Sequence, residues 1–185
     1  MRPSQGIGVY WDGIWSRHKT RHTMGNDHAF RAAARWLDQP HIVTVEDWGC
    51  GCGHFGPFLA THQQYIGVDA CGQSQASRIA DLRTYTSCAD GLHLRGVLEH
   101  NEDWRLILDN ALRSFRYRAV LSFYRGWGGE RLDKRVPVIA FDRADIRRCI
   151  PDHVVVTETT VPAKTPQMQQ QRGPEVLLLL STRPT

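Results

Sequence analysis

Residues 45–53 read Val-Glu-Asp-Trp-Gly-Cys-Gly-Cys-Gly, a strand-like run that breaks into alternating glycines. The residues leading into it, His41 to Glu46, are rich in Val, Ile and Thr and predict a β-strand. A strand that runs into closely spaced glycines lets the backbone approach a ligand, because no side chain intervenes. A short helical stretch ending near Gln63 is expected next, with its N-terminal N–H groups aimed at that ligand. Tyr65-Ile66-Gly67-Val68-Asp69 reads as a second strand ending in a carboxylate about 20 residues on, where an acid accepts hydrogen bonds from a ribose diol. The pattern implies a nucleoside-containing cofactor at the carboxyl ends of parallel strands. The plainer alternative is a tight turn with a capping acid.

Working outward, Asp27 is expected to cap a short helix that places Phe30, Ala33, Ala34 and Leu37 on one face, stopped by Gln39-Pro40. Leu92 to Leu98 reads as an apolar strand. Trp104, Ile107, Leu108, Ala111, Leu112 and Phe115 recur at i, i+3, i+4 spacing and predict an amphipathic helix. Ala119 to Phe123 is a further strand, followed by a Gly- and Arg-rich loop from Tyr124 to Glu130. Asp142 is expected to cap a helix through Ile150. Val154 to Val161 and Glu175 to Ser181 close the chain as two strands joined by a polar loop, Pro162 to Pro174. Strands alternating with helices imply a mostly parallel sheet covered on both faces, and the last two strands, with no helix predicted between them, an antiparallel hairpin.

Composition agrees with a globular domain. The 185 residues are 41% hydrophobic and 23% charged, enough apolar material for a core. No run approaches the ~18 apolar residues that cross a membrane, and Met1 to Tyr10 lacks the apolar segment of a secretory signal. The formal charge of +4 is compatible with an anionic small molecule or RNA and demands neither. Five cysteines (Cys50, Cys52, Cys71, Cys88 and Cys149) leave one over from complete pairing, and none lies in a Cys-x-x-Cys. A reduced, cytoplasmic setting without a bound metal is the expectation.

Two cofactor classes fit the glycine cluster. Gly51-Cys52-Gly53-His54-Phe55-Gly56 matches G-x-G-x-x-G, the dinucleotide fingerprint of a nicotinamide oxidoreductase. The cluster begins earlier, however, as Asp47-x-Gly49-x-Gly51-x-Gly53, and an acid directly before the loop suits a ligand bearing an ammonium and a sulfonium better than a pyrophosphate. Here the sequence resembles the class I S-adenosylmethionine-dependent methyltransferases. Val45 to Gly53 is similar to their first motif, and Tyr65 to Asp69 to their second, whose acid holds the ribose. Ala80-Asp81-Leu82 resembles the loop whose acid meets the adenine amino group. Asp90 to His100 (DGLHLRGVLEH) is similar to the fourth-strand motif of small-molecule methyltransferases. The closing hairpin fits that family's reversed last strand.

The resemblance implies an α/β fold: one Rossmann-like three-layer domain with a mostly parallel twisted sheet and a C-terminal antiparallel hairpin. Residues 41–185 would form the cofactor-binding domain, and residues 1–40 an N-terminal arm and helix covering the site. It implies S-adenosyl-L-methionine as cofactor, contacted by Asp47, Gly49, Cys50, Gly51, Gly53, Asp69, Ala70, Asp81, Leu82 and Arg95. Only 11 residues separate Asp69 from Asp81, barely the ~10–12 of a whole crossover, so an abridged second helix and a short third strand are expected. This makes a plain loop acid the other reading of Asp81. Asp90 suits the start of the fourth strand better than the adenine pocket.

His100, just past the fourth strand, is the candidate general base, its ordinary pKa near 6.5 suiting proton transfer at neutral pH. Tyr10, Trp15, Arg125 and Trp127 are candidate acceptor contacts. The acceptor is expected to be a small molecule or a glycan unit. RNA remains the other acceptor class, and a non-catalytic cofactor-binding module the other functional class. If the N-terminal arm is a lid, its removal is expected to abolish methyl transfer to an acceptor while only weakening S-adenosylhomocysteine binding measured by calorimetry. Equal loss of both would contradict a lid.

Overall fold

The computed structural model describes residues 26–72, 74–124 and 143–182. Helix α1 (Asp27–Leu37) is followed by β1 (Thr44–Trp48), a 3-10 turn (Gly56–Phe58), β2 (Gln64–Asp69), β3 (Arg78–Ile79) and β4 (Ala89–Arg95). A second 3-10 turn (Leu98–His100) leads to α2 (Trp104–Leu112), β5 (Phe115–Tyr124), α3 (Arg143–Cys149), β6 (Val154–Val161), α4 (Pro166–Arg172) and β7 (Glu175–Thr182). The strands form one seven-stranded sheet in the order β3-β2-β1-β4-β5-β7-β6. β1 to β5 pair in parallel, and β7 runs antiparallel to both β5 and β6. The order reverses between β1 and β4, which opens the crevice where sheets of this kind take ligands.

Strand alternation divides the core. Val45, Val120 and Leu177 face α1, where they pack with Phe30, Ala33, Ala34, Leu37 and Phe55. Trp48, Leu92, Leu94, Ala119, Leu121, Leu178 and Leu180 face the other way, onto Trp104, Ile107, Leu108 and Ala111 of α2 and Ile146 of α3. Gly91 lies where α1 approaches most closely. A Cβ there would stand 3.0 Å from Ile42 Cγ2 and 3.2 Å from Leu37 Cδ2. Polar anchors fix the helix in place: Arg118 donates to the carbonyl of Trp36 at 2.6 Å, and the Trp36 indole donates to Leu180 O at 3.2 Å.

Several expectations need correction. The cap of α1 is Asn26, whose extended backbone lets its Oδ1 accept from the His28 N–H at 3.2 Å, while Asp27 lies inside the first turn. The stretch after the glycines forms only the 3-10 turn Gly56–Phe58, because Gly53, Gly56 and Pro57 oppose a continuous helix. The link Pro162–Pro174 contains a short helix, α4. As expected, β3 is only two residues long, and no helix lies between β2 and β3 among the described residues. Asp90 caps the start of β1 by accepting from the N–H groups of Val43 and Thr44 at 3.1 and 2.9 Å. Among the described residues, no helix is long and apolar enough to cross a membrane.

The face that receives α1 carries one buried charged cluster. Arg95, Ser122 and Glu175 stand on β4, β5 and β7, at positions that project toward α1. The Glu175 carboxylate, fully buried, accepts from Arg95 Nε at 2.6 Å and Nη2 at 3.1 Å, from Ser122 Oγ at 2.9 Å, and from Asn26 Nδ2 at 2.8 Å. Burial alone would raise its pKa, but the charge of Arg95 and these hydrogen bonds outweigh that and hold it low. Replacing Glu175 by Ala removes the carboxylate that pairs the partly buried Arg95 guanidinium and satisfies Ser122 and Asn26. Urea unfolding should show a loss of about 3–5 kcal/mol with an unchanged m-value.

Candidate functional site

The glycine loop lies at the carboxyl end of β1, beside the point where strand order reverses. Gly49, Gly51 and Gly53 have φ of 72°, 52° and 66°, while no non-glycine residue described has positive φ, so Cys50 and Cys52 occupy the ordinary positions between them. Space is limiting at Gly49 as well. A Cβ there would lie 2.3 Å from Val97 Cγ2, so the segment after β4 rests directly on the loop.

Two carboxylates stand at this end of the sheet, and one of them holds the loop. Asp69, at the end of β2, accepts from the Gly51 N–H at 2.9 Å and from the Cys71 N–H at 2.8 Å. Each carboxylate oxygen accommodates more than one donor, so Asp69 can meet a vicinal diol while still holding the loop. Asp47 is buried and doubly engaged, with His93 Nδ1 at 2.7 Å from Oδ1 and Tyr65 OH donating to Oδ2 at 2.8 Å. Asp47 and His93 face one another across β1 and β4, and the imidazole stacks on Phe55 with centroids 3.9 Å apart. Burial, reinforced by the charge of Asp47, pushes the Cys50 thiol and the Tyr65 phenol up, which favours their neutral forms.

The remaining sequence candidates are distributed unevenly. Cys50 lines the loop and is buried; Ala70 follows β2 and is exposed. Arg95 ends β4, its guanidinium paired with Glu175 and 5.2 Å from the Phe30 ring centroid. Asp81 is half exposed and accepts from the Arg83 side chain, with Nη2 at 2.6 Å from Oδ2, which holds its pKa below the usual carboxylate range. Leu82 is buried, and its carbonyl accepts from Asn110 Nδ2 at 2.9 Å. His100 ends the 3-10 turn after β4 and is buried. Tyr10, Trp15, Arg125 and Trp127 lie outside the described residues. Among the described residues, no group of His, Cys, Asp and Glu could hold a metal ion.

Sequence reasoning missed Glu99, the residue before His100. Only 3% of it is exposed. Its Oε2 is buried with no hydrogen-bond partner among the described residues. Burial, aided by the Glu175 charge and opposed by Arg95, pushes its pKa up to about 7. The glutamate sits in a turn without strand or helix periodicity, so spacing alone could not reveal its burial.

No family model and no curated protein matches the chain. Solved structures do match. Magnesium protoporphyrin IX methyltransferase from Synechocystis PCC 6803, solved with bound S-adenosylmethionine, is 16% identical with a TM-score of 0.68, over 98% of this chain and 100% of that one. The N-methyltransferase NodS from Bradyrhizobium japonicum WM9, in complex with S-adenosylhomocysteine, is 13% identical with a TM-score of 0.66, over 95% and 100%. A chain of the complex between the Haloferax volcanii Trm112 methyltransferase activator and a methyltransferase is 13% identical with a TM-score of 0.68, over 97% and 98%. At these identities the likeness is one of fold: the chain has the Rossmann-like α/β architecture of S-adenosylmethionine-dependent methyltransferases.

The Glu99 carboxyl carries a testable stability signature. A group near 4.5 when unfolded and about 7 when folded favours the native state below pH 4.5, and that contribution is lost as pH rises through 7. Relative to Glu99→Gln, the wild-type protein should lose ~3 kcal/mol of unfolding free energy across this window, measured by urea titration at each pH.

Proposed function

We propose that the chain is an S-adenosylmethionine-dependent methyltransferase that moves a methyl group to an O or N atom of a small-molecule or glycan acceptor. The observation that carries this reading is the glycine loop at the β1–β4 reversal, with Asp69 gripping the Gly51 N–H from the end of β2. In this reading the same carboxylate, at the end of β2, meets the ribose, and the loop backbone meets the amino-acid tail of the cofactor. The antiparallel β7 between β5 and β6 argues against the nicotinamide alternative, whose domain would lack a reversed last strand. Solved proteins of this fold that bind S-adenosylmethionine or its product add to the case.

The cofactor supplies an activated methyl on a positive sulfur, already a good leaving group. The protein's part is to align the acceptor and keep water out, effects worth ~7–11 kcal/mol in well-oriented reactions. Asp47, fixed by His93 and Tyr65, and Asp69 place negative charge at this end of the sheet, which favours a cationic ligand over a pyrophosphate. Phe30 and Phe55 pack around His93 and form an apolar wall on the α1 side.

Thermal and chemical denaturation with S-adenosylhomocysteine at 100 times its Kd should stabilise the protein by ~2.7 kcal/mol, and NAD should not. Incubation with S-adenosylmethionine radiolabelled in the methyl group should then label a component of small-molecule or glycan acceptor pools. Stabilisation by NAD alone would overturn the proposal. Binding of S-adenosylhomocysteine with no methyl transfer across the pools would leave a binding module.

A further inference from the structure

The segment after β4 joins two features: Val97 packs against Gly49 of the glycine loop, and Glu99, two residues on, is buried with one oxygen unpaired. A buried carboxylate oxygen without a donor is costly, and such groups in native proteins are rare and are found at sites that take a water, an ion or a reacting ligand. Glu99 lies in the 3-10 turn that follows β4, the strand beside the reversal, in the same segment as the Val97 that touches the loop. Among the described residues, Arg95 on β4 and Glu175 on β7 act electrostatically on it, and His100 is its neighbour in the turn. Arg95 is held in a two-pronged pair with Glu175, so the nearby positive charge is already shared with another carboxylate.

Resting on the methyltransferase reading, we propose that Glu99 receives the acceptor, binding its amine or hydroxyl beside the transferring methyl group and taking the proton that methylation releases. The acceptor class is thereby a proton-bearing nucleophile. In the step, the acceptor's lone pair forms the new N–C or O–C bond as the S–C bond breaks, and sulfur keeps the electron pair as a neutral thioether. The acceptor's proton passes to the unpaired Glu99 oxygen, so atoms and charge balance without a further reagent. A carboxyl of pKa about 7 is substantially ionised at neutral pH and is a stronger base than an ordinary glutamate. Glu99 therefore replaces His100 as the base of the reaction.

A probe is available that needs no knowledge of the acceptor. Sinefungin carries an ammonium where S-adenosylmethionine carries its methylated sulfonium, whereas S-adenosylhomocysteine carries only an uncharged thioether there. Calorimetry with both ligands at pH 6 and pH 8 should show wild-type preference for sinefungin over S-adenosylhomocysteine rising with pH. Glu99→Gln should lower that preference by about tenfold, the effect of losing one ion pair, remove its pH dependence, and leave S-adenosylhomocysteine affinity within about twofold. A preference that is flat with pH in the wild-type protein, or unchanged in Glu99→Gln while S-adenosylhomocysteine still binds, overturns the role of Glu99 alone. The wild-type comparison stands even if the variant fails to fold. Failure of the wild-type protein to bind S-adenosylhomocysteine at all overturns the methyltransferase reading instead.

Discussion

A carboxylate shut away from water must find donors inside the protein, and Glu175 meets that demand by drawing four elements together. Arg95 of β4, Ser122 of β5 and Asn26 ahead of α1 all donate to it, and it opens β7. The antiparallel strand, the central parallel strand and the helix that covers them are thus tied at one point, at the end of the sheet where the glycine loop lies. An apolar contact there would have tolerated sliding, because hydrophobic burial is non-directional. A bidentate guanidinium–carboxylate pair with two further hydrogen bonds fixes direction as well as distance.

The loop has its own internal framework. Asp69 accepts from the Gly51 N–H and the Gly49 N–H donates to Val68 O, so the glycine backbone keeps its curve through contacts within the chain. On the opposite face of β1, Glu46 accepts from the Trp48 indole at 2.8 Å and the Tyr85 hydroxyl at 2.9 Å, and pairs with Arg78 at 3.4 Å, which pins the two-residue β3 to the sheet. Three successive positions of β1 thereby serve three purposes: Val45 fills the core under α1, Glu46 ties down the outer strand, and Asp47 links His93 of β4 to Tyr65 of β2.

Much of this was legible from residues alone. The glycine spacing, the carboxylate ending β2 and the apolar strands fixed the layer architecture, and the short interval before Asp81 foretold the stunted β3. Three things were hidden, each for a physical reason. The helix after the loop was overpredicted because Gly56 and Pro57 act on backbone entropy and hydrogen bonding, which apolar spacing does not register. Asn26 and Asp27 are both good caps, and the choice fell to Asn26 because its amide also reaches Glu175 and Pro162 O across the fold. Arg95 and Glu175 are 80 residues apart, so their pairing depends on strand order rather than on any local pattern. Glu99 is concealed in the same way, since only tertiary packing buries it.

The single 3-10 turn that follows the glycines has a consequence for selectivity. A full α-helix at that place would add the positive end of its macrodipole to the floor of the crevice and welcome anions. That field is missing here, and Asp69 and the His93-paired Asp47 lie at this end of the sheet. Under the proposed chemistry, the crevice would grip a sulfonium donor more firmly than the uncharged thioether left behind, so that spent cofactor is the more readily exchanged of the two.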